Sequence, residues 1–410
     1  MSETFILGGA QTDFARNWTR DGKTLFDMMS ETVDAGLTAT GLEPREIETA
    51  HVGNFVAELF AEQGQLGGFF AAMKPEFNGL PSGRHEAACA SGSLALLAAS
   101  AEIEAGRYDV ACVLGVELMR NVSGDTAAKH LGAARWAGRE LEDARYVWPA
   151  AFDKLVDEYE RRYGIDYAHL GEIARTNYEN ARTNPNAHTR RWNFGNRAFT
   201  ADNDENPVIE GRIRRQDCGQ VTDGAAVVFV ASRKFAEDYA KRHGKSVAEL
   251  SKLEGWGHRT ATMRLDDKLA ASRNEPYVFP HVRGAVTDAF RRAGIADTEA
   301  LDLIECHDCF SMTEYMVIDH FGITAPGESW RAVEDGAIRR NGRMPINPSG
   351  GLIGLGHPVG ATGVRMALDA HKQVTGIADG YQVEGASRAA TLNIGGSATT
   401  TVCTVIGRVS

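Results

Sequence analysis

The chain is short of cysteine, of positive charge and of long apolar runs, and each shortage removes a class of function. Six cysteines occur in 410 residues: Cys89, Cys112, Cys218, Cys306, Cys309 and Cys403. Cys306 and Cys309 form one CxxC pair, but no second pair stands at zinc-finger spacing, so no metal site is expected. Met1-Ser2-Glu3-Thr4-Phe5 lacks the basic and apolar regions of a secretory signal, so the thiols are expected to be reduced and unbridged. Lys plus Arg number 44 against 55 acids, a net charge of -11, which argues against nucleic acid as a partner. No window reaches the roughly 20 apolar residues of a membrane span. Gly407-Arg408-Val409-Ser410 carries no peroxisomal or prenylation signal. The expectation is a cytoplasmic protein without a membrane partner.

What remains is a soluble composition, 43% hydrophobic and 24% charged, in a chain long enough for more than one core. Short apolar runs alternate with helical periods. Residues 5–9, 50–55 and 110–118 read as strands, and 24–38 and 91–105 as helices. The second of these is made of such small residues that burial on nearly every side is expected. This alternation predicts an α/β fold with a layered sheet. From about 120 to 220 the chain turns to charge, Asn and Arg, with one clear helix over 152–163. It reads as an insertion over the core, which resumes with a strand at 225–232. After 253 the first pattern returns. The helix, turn and strand of 282–306 mirror 31–54, and the helix of 363–376 mirrors 92–106, so the chain reads as an internal duplication.

Four clusters can carry chemistry. Glu86-Ala87-Ala88-Cys89-Ala90-Ser91-Gly92 puts a cysteine at a helix start, where free N–H groups favour a thiolate. On residue type alone, a structural cysteine fits as well. Leu355-Gly356-His357-Pro358 sets a histidine among glycines at another helix start, placed to act as base to a nearby cysteine. Glu305-Cys306-His307-Asp308-Cys309-Phe310 follows a buried strand, and strand ends are where open α/β sheets bind ligands. Asn393-Ile394-Gly395-Gly396 can offer backbone N–H groups to an oxyanion, or be an ordinary glycine turn.

Taken together and in this order, the EAACASG, HDCF and GHP segments resemble those of thiolases, and the HDCF segment resembles the sterol-carrier-protein-2-type branch. Cys218-Gly219-Gln220-Val221-Thr222-Asp223-Gly224 is similar to the segment that returns thiolase chains to their core. The resemblance spans nearly the whole chain. It implies two duplicated βαβαβαββ half-domains in a layered αβαβα core. The first comprises residues 1–119 and 221–250, the second 251–410, and an inserted loop domain occupies 120–220.

The resemblance further implies an acyl-CoA C-acyltransferase that cleaves a 3-ketoacyl-CoA by thiolysis or runs the reverse Claisen condensation, as in fatty acid β-oxidation and lipid metabolism. Cys89 would be the acylated nucleophile and His357 its base. His307 and His357 would form one oxyanion site, and the N–H groups of Cys89 and Gly395 the other. Conventional thiolases move the α-proton with a cysteine where this chain has Asn393. That task is expected to fall to Cys309, with an ordinary thiol pKa near 8.5. Coenzyme A is expected as a substrate, with no permanently bound cofactor. Arg214 and Arg215, in a stretch of seven arginines and four acids between 182 and 215, are candidates for its phosphates. A homodimer or a dimer of dimers is expected, paired through the strand around 84–88.

Overall fold

Strands form here where β-branched and small residues run together, and both of their faces are used. In the computed structural model, which describes residues 3–409, nine strands join one sheet. They are β1 (Thr4–Gln11), β2 (Thr49–Gly53), β3 (Ser82–His85), β4 (Val110–Glu117), β5 (Gly224–Ser232), β6 (Ser251–Thr260), β7 (Leu303–Cys306), β8 (Arg388–Gly395) and β9 (Thr400–Arg408). Their order is β3-β2-β4-β5-β1-β6-β9-β8-β7. β1 and β6 meet through only two residue pairs, Phe5 with Lys252 and Ile6 with Ser251. That narrow seam divides the sheet into halves.

The halves repeat each other. The first runs β3-β2-β4-β5-β1. The second, from its own edge, runs β7-β8-β9-β6, with an isolated bridge between Ile304 and Ile346 standing where the counterpart of β3 would be. Parallel pairing of β2 with β4 is matched by β7 with β8, and antiparallel pairing of β4 with β5 by β8 with β9.

The longer helices are α1 (Leu25–Thr40), α2 (Ser91–Glu104), α3 (Val147–Tyr163), α4 (Tyr167–Ala181), α5 (Arg233–Arg242), α6 (Pro280–Ala293), α7 (Ser311–Phe321) and α8 (Thr362–Thr375). α2 and α8 lie between the half-sheets. Ala95, Leu96 and Ala99 of α2 share a core with Val364, Ala367 and Leu368 of α8. Ala111 and Val228 join that core from one half, Ala389 and Ile406 from the other. Alternate residues of the same strands, such as Cys112 and Leu114, face the outer layer of α1 and α5. On the far side Leu392 and Val405 pack beneath α6 and α7. The layering is therefore αβαβα, and the duplication is built into it.

Small residues let the middle helices approach. A Cβ on Gly92 would lie 2.7 Å from Gly360 O, and one on Gly363 only 2.2 Å from Ser93 N. Alanine at either position would force backbone apart, so glycine there sets the spacing of the two helix starts.

The segment between β4 and β5 leaves and returns at one pin. The Asp223 carboxylate accepts the N–H groups of Met119 at 2.8 Å, Arg120 at 2.7 Å and Trp18 at 3.2 Å. Within the segment the structure departs from the sequence reading. The expected helix begins earlier, at Val147, and α4 follows it. Asn177 and Asn180 made α4 look like loop. Both are buried, and Asn177 donates to Asp308 at 3.0 Å and to Glu314 at 2.7 Å, so tertiary partners satisfy what propensity counts against a helix. Among the described residues no helix is long and apolar enough to cross a membrane.

Candidate active site

Cys89 is delivered by a strained turn. Ala88 takes a left-handed φ of 49°, which L-residues other than Asn and Asp rarely adopt. Ser91 locks that turn: its Oγ accepts the N–H of Ala87 at 2.9 Å and donates to the carbonyl of Ala88 at 2.6 Å. The sulfur then stands just ahead of α2, facing His357 Nε2 at 3.3 Å. Its own backbone N–H and that of Gly396 favour its ionised form.

Burial pushes the Cys89 thiol up to about 12, outweighing these N–H groups, and Glu117 and Glu86 add to the rise. The sequence reading expected the helix start to lower this pKa. Desolvation wins because the sulfur is withdrawn into a mostly apolar wall. The resting group is thus a thiol.

Contacts on the far side of the ring set the tautomer of His357. Its Nδ1 lies 2.7 Å from Thr362 Oγ1, whose hydroxyl lies 3.1 Å from the carbonyl of Pro358. With the Thr362 O–H directed to that carbonyl, its oxygen accepts from His357 Nδ1–H. The Nε2 lone pair is then left facing Cys89. Burial, reinforced by the positive charge of Arg365, lowers His357 to about 3 and keeps the ring neutral.

The HDCF segment divides its labour. His307 is buried, its ring centroid 5.3 Å from that of His357 in an edge-to-face arrangement. Its Nδ1 lies 3.2 Å from Asn393 Nδ2. Asp308 turns away from the pocket and accepts the N–H groups of Leu352 at 2.6 Å and Ile353 at 3.1 Å, which fixes the loop before His357. Cys309 lines the same pocket as Cys89, with Thr313 Oγ1 at 3.6 Å from its sulfur. Burial, then the neighbouring Cys89, hold its pKa well above the ordinary thiol value assumed from sequence. Cys306 points into the core of the second half instead, as strand alternation requires.

These groups line a cavity of about 200 Å³ whose other walls include Phe55, Leu131, Val147, Trp148, Phe152 and Val359. Ligand atoms of Cys89, His307 and His357 lie within 4.8 Å of one another. A thiol and two imidazoles form a donor set that can hold a transition metal. Here the Thr362 and Asn393 contacts equip the same atoms for proton transfer and hydrogen bonding.

Gly396, one residue beyond Gly395, lines the pocket, and its backbone N–H works against the rise in the Cys89 pKa. Gly395 is where the chain passes so close to Ala87 that a Cβ would lie 2.2 Å from its carbonyl oxygen. The two candidate arginines both lie in the insertion. Arg214 is committed inside the insertion, donating to the Asn206 carbonyl at 2.8 Å and to Asn203 Oδ1 at 3.0 Å, while Arg215 is exposed. Neither lines the Cys89 cavity. Sequence reasoning missed Thr362 and the apolar wall from α3. Thr362 had a signal, a hydroxyl five residues after the histidine at a helix start. The wall had none.

The thiolase N-terminal domain profile matches residues 4–192, and the thiolase C-terminal domain-like profile matches 264–408. The chain belongs to the thiolase family. The acetyl-CoA acetyltransferase of Methanothermobacter thermautotrophicus is 31% identical to this thiolase-family chain, over 100% of both chains. Sterol carrier protein 2 of Gallus gallus is 26% identical over 95% of this chain and 69% of its own length. Among solved structures, an Ltp2-ChsH2(DUF35) aldolase superposes with a TM-score of 0.77 at 17% identity, covering 99% of this chain and 98% of that one. At that identity the likeness shows the fold alone.

Proposed function

We propose that this thiolase-family chain is an acyl-CoA C-acyltransferase that breaks or makes a carbon–carbon bond through an acyl group carried on Cys89. The observation that carries the reading is the 3.3 Å approach of a neutral His357 Nε2 to Cys89 Sγ in a cavity shared with His307 and Cys309.

In thiolysis of a 3-ketoacyl-CoA, His357 takes the Cys89 proton as the sulfur attacks C3. The N–H groups of Cys89 and Gly395 receive the tetrahedral oxyanion. The C2–C3 bond breaks and its electron pair leaves as the enolate of acetyl-CoA. His307 and His357 hydrogen-bond the enolate oxygen, and the Cys309 thiol gives its proton to C2. Coenzyme A then gives its thiol proton to the Cys309 thiolate and attacks the acyl-enzyme. The released Cys89 sulfur recovers its proton from His357. Each oxyanion donor supplies about 3–4 kcal/mol, and Cys309 on the order of 10²–10⁴-fold in rate.

The apolar wall of Phe55, Val147, Trp148 and Phe152 supports an apolar acyl group on C3, and with it a role in lipid metabolism such as β-oxidation. A cytoplasmic location, the division at residues 119, 220 and 250, and pairing of two copies along the short edge strand β3 belong to the same reading. Retention of a nucleophilic cysteine supports acyl transfer over aldol chemistry on this fold.

The test is thiolysis across 3-ketoacyl-CoAs of increasing length and bulk, with intact-mass detection of the acyl-enzyme. Turnover with a Cys89 adduct supports the reading, and no adduct with any member of the series would sink it.

A further inference from the structure

Asn393 stands where conventional thiolases carry a titrating cysteine, and its surroundings give it a task of its own. It lies on β8 with its side chain fully buried. Its two amide ends meet residues from different parts of the chain. Ser93 Oγ, on α2 just beyond the nucleophile, lies 2.9 Å from Oδ1. His307 Nδ1 lies 3.2 Å from Nδ2.

Two oxygens at hydrogen-bonding distance need a hydrogen between them, and the Ser93 hydroxyl supplies it. The amide oxygen faces Ser93 and the NH2 group faces His307. An N–H donor must meet a lone pair, so His307 Nδ1 carries no proton. A neutral imidazole has one N–H, which is then on Nε2.

We infer that Asn393 is a positioning residue that holds His307 as its Nε2–H tautomer, so that the ring donates a hydrogen bond to the enolate oxygen of the substrate thioester. This rests on the acyl-transfer reading above. Burial, His357 and Arg365 all lower the pKa of His307, which keeps the ring neutral and makes the tautomer a real choice. The two histidines then take opposite roles from opposite tautomers: His357 Nε2 accepts from Cys89, and His307 Nε2 donates to substrate. A cysteine at 393, with one weak S–H donor, could not bridge Ser93 and His307 in this way.

The experiment uses the unmodified protein, Asn393→Asp and Asn393→Ala. Nitrogen-15 NMR of histidine-labelled protein reads the tautomer of His307. Exchange of acetyl-CoA methyl protons with deuterated water reads enolate formation, and intact mass reads acylation of Cys89. In the unmodified protein, Nδ1 of His307 should be the unprotonated nitrogen. Asn393→Asp presents only acceptors and should move the proton to Nδ1, cutting exchange by about 10²–10³-fold while the Cys89 adduct still forms. Asn393→Ala enforces neither tautomer and should lose less exchange than the aspartate. A His307 protonated on Nδ1 in the unmodified protein overturns the inference whether or not the variants fold. Exchange within threefold of the unmodified rate in Asn393→Asp also overturns it. An unmodified protein that never forms the Cys89 adduct would instead refute the acyl-transfer reading, and NMR would still report the tautomer.

Discussion

After β2 the chain turns at Asn54, whose amide donates to the Val116 carbonyl and to Glu117, both at 2.9 Å. After β7, the matching strand of the other half, it turns at His307, whose ring lines the pocket. Each half also buries a carboxylate that gathers N–H groups. Glu117 accepts from Phe55 at 2.9 Å, Val56 at 3.2 Å and Gly360 at 3.0 Å. Asp308 accepts from Leu352, Ile353 and Asn177. The middle helices differ more. α2 is nearly all small or aliphatic, whereas α8 buries Arg365 against Glu305 at 2.8 Å and Asp369 at 3.2 Å. Duplication brings two helix starts to one point. Divergence then puts Cys89 at one and His357 ahead of the other, and leaves the first half's strand end with a structural amide.

That division of roles can be broken at several places. The largest effect belongs to the nucleophile. Cys89→Ala should abolish the acyl adduct and lower turnover on the order of 10⁴-fold or more, read by intact mass and thiolysis. If appreciable turnover survived, the first half would not supply the nucleophile.

Next is the second half's thiol. Cys309→Ala should still be acylated at Cys89 by acetyl-CoA but lose methyl-proton exchange by about 10²–10⁴-fold, whereas Cys306→Ala should keep both. Equal behaviour of the two variants would undo the assignment.

The contact between halves comes third. Gly363→Ala sets a Cβ 2.2 Å from Ser93 N. Alanine normally stabilises a helix by up to about 1 kcal/mol. Here we expect a loss of about 1–3 kcal/mol in urea unfolding, with activity down on the order of 100-fold as the two helix starts shift. A stabilised, fully active variant would contradict the packing described for α2 and α8.

The two carboxylate clamps offer a finer comparison. Glu117→Gln and Asp308→Asn each put an NH2 group among N–H donors and should cost about 1–3 kcal/mol. Only Asp308→Asn, which adjoins His307 and Cys309, should also slow methyl-proton exchange.

The mildest perturbation is pH. With Cys89 raised to about 12 and His357 lowered to about 3, the thiol and neutral imidazole persist between those limits. Thiolate, the reactive form, then grows by about tenfold per pH unit. Alkylation of Cys89 by iodoacetamide should follow that rise from pH 6 to 9. A plateau near neutrality would indicate a preformed thiolate–imidazolium pair instead.

Much of this was legible in the sequence because it is local. The small-residue run of α2 declared a helix buried on nearly every side, but only one face is buried: Leu94, Leu97 and Ala98 are half-buried and Ala101 is exposed. Strand-end placement singled out His307 and Cys309, and alternation set Cys306 apart from them. α4 escaped because Asn177 finds its partners, Asp308 and Glu314, and Asn180 finds the Asn347 carbonyl, all more than 130 residues away. The carbonyls that occupy Arg214 likewise become visible only once the insertion folds.

The sequence by itself determined the family, the layered architecture and the four side chains that meet in the pocket, Cys89, His307, Cys309 and His357, because motifs and periodicity are properties of neighbours along the chain. Tertiary structure decided their protonation. Burial raised the pKa of Cys89 and lowered that of His357, reversing what a helix start alone would do to a thiol. Contacts from Thr362 and Asn393 decided which ring nitrogens carry the protons. Desolvation and hydrogen-bond partners arise from segments brought together across hundreds of residues, so neither can be read from the order of the residues.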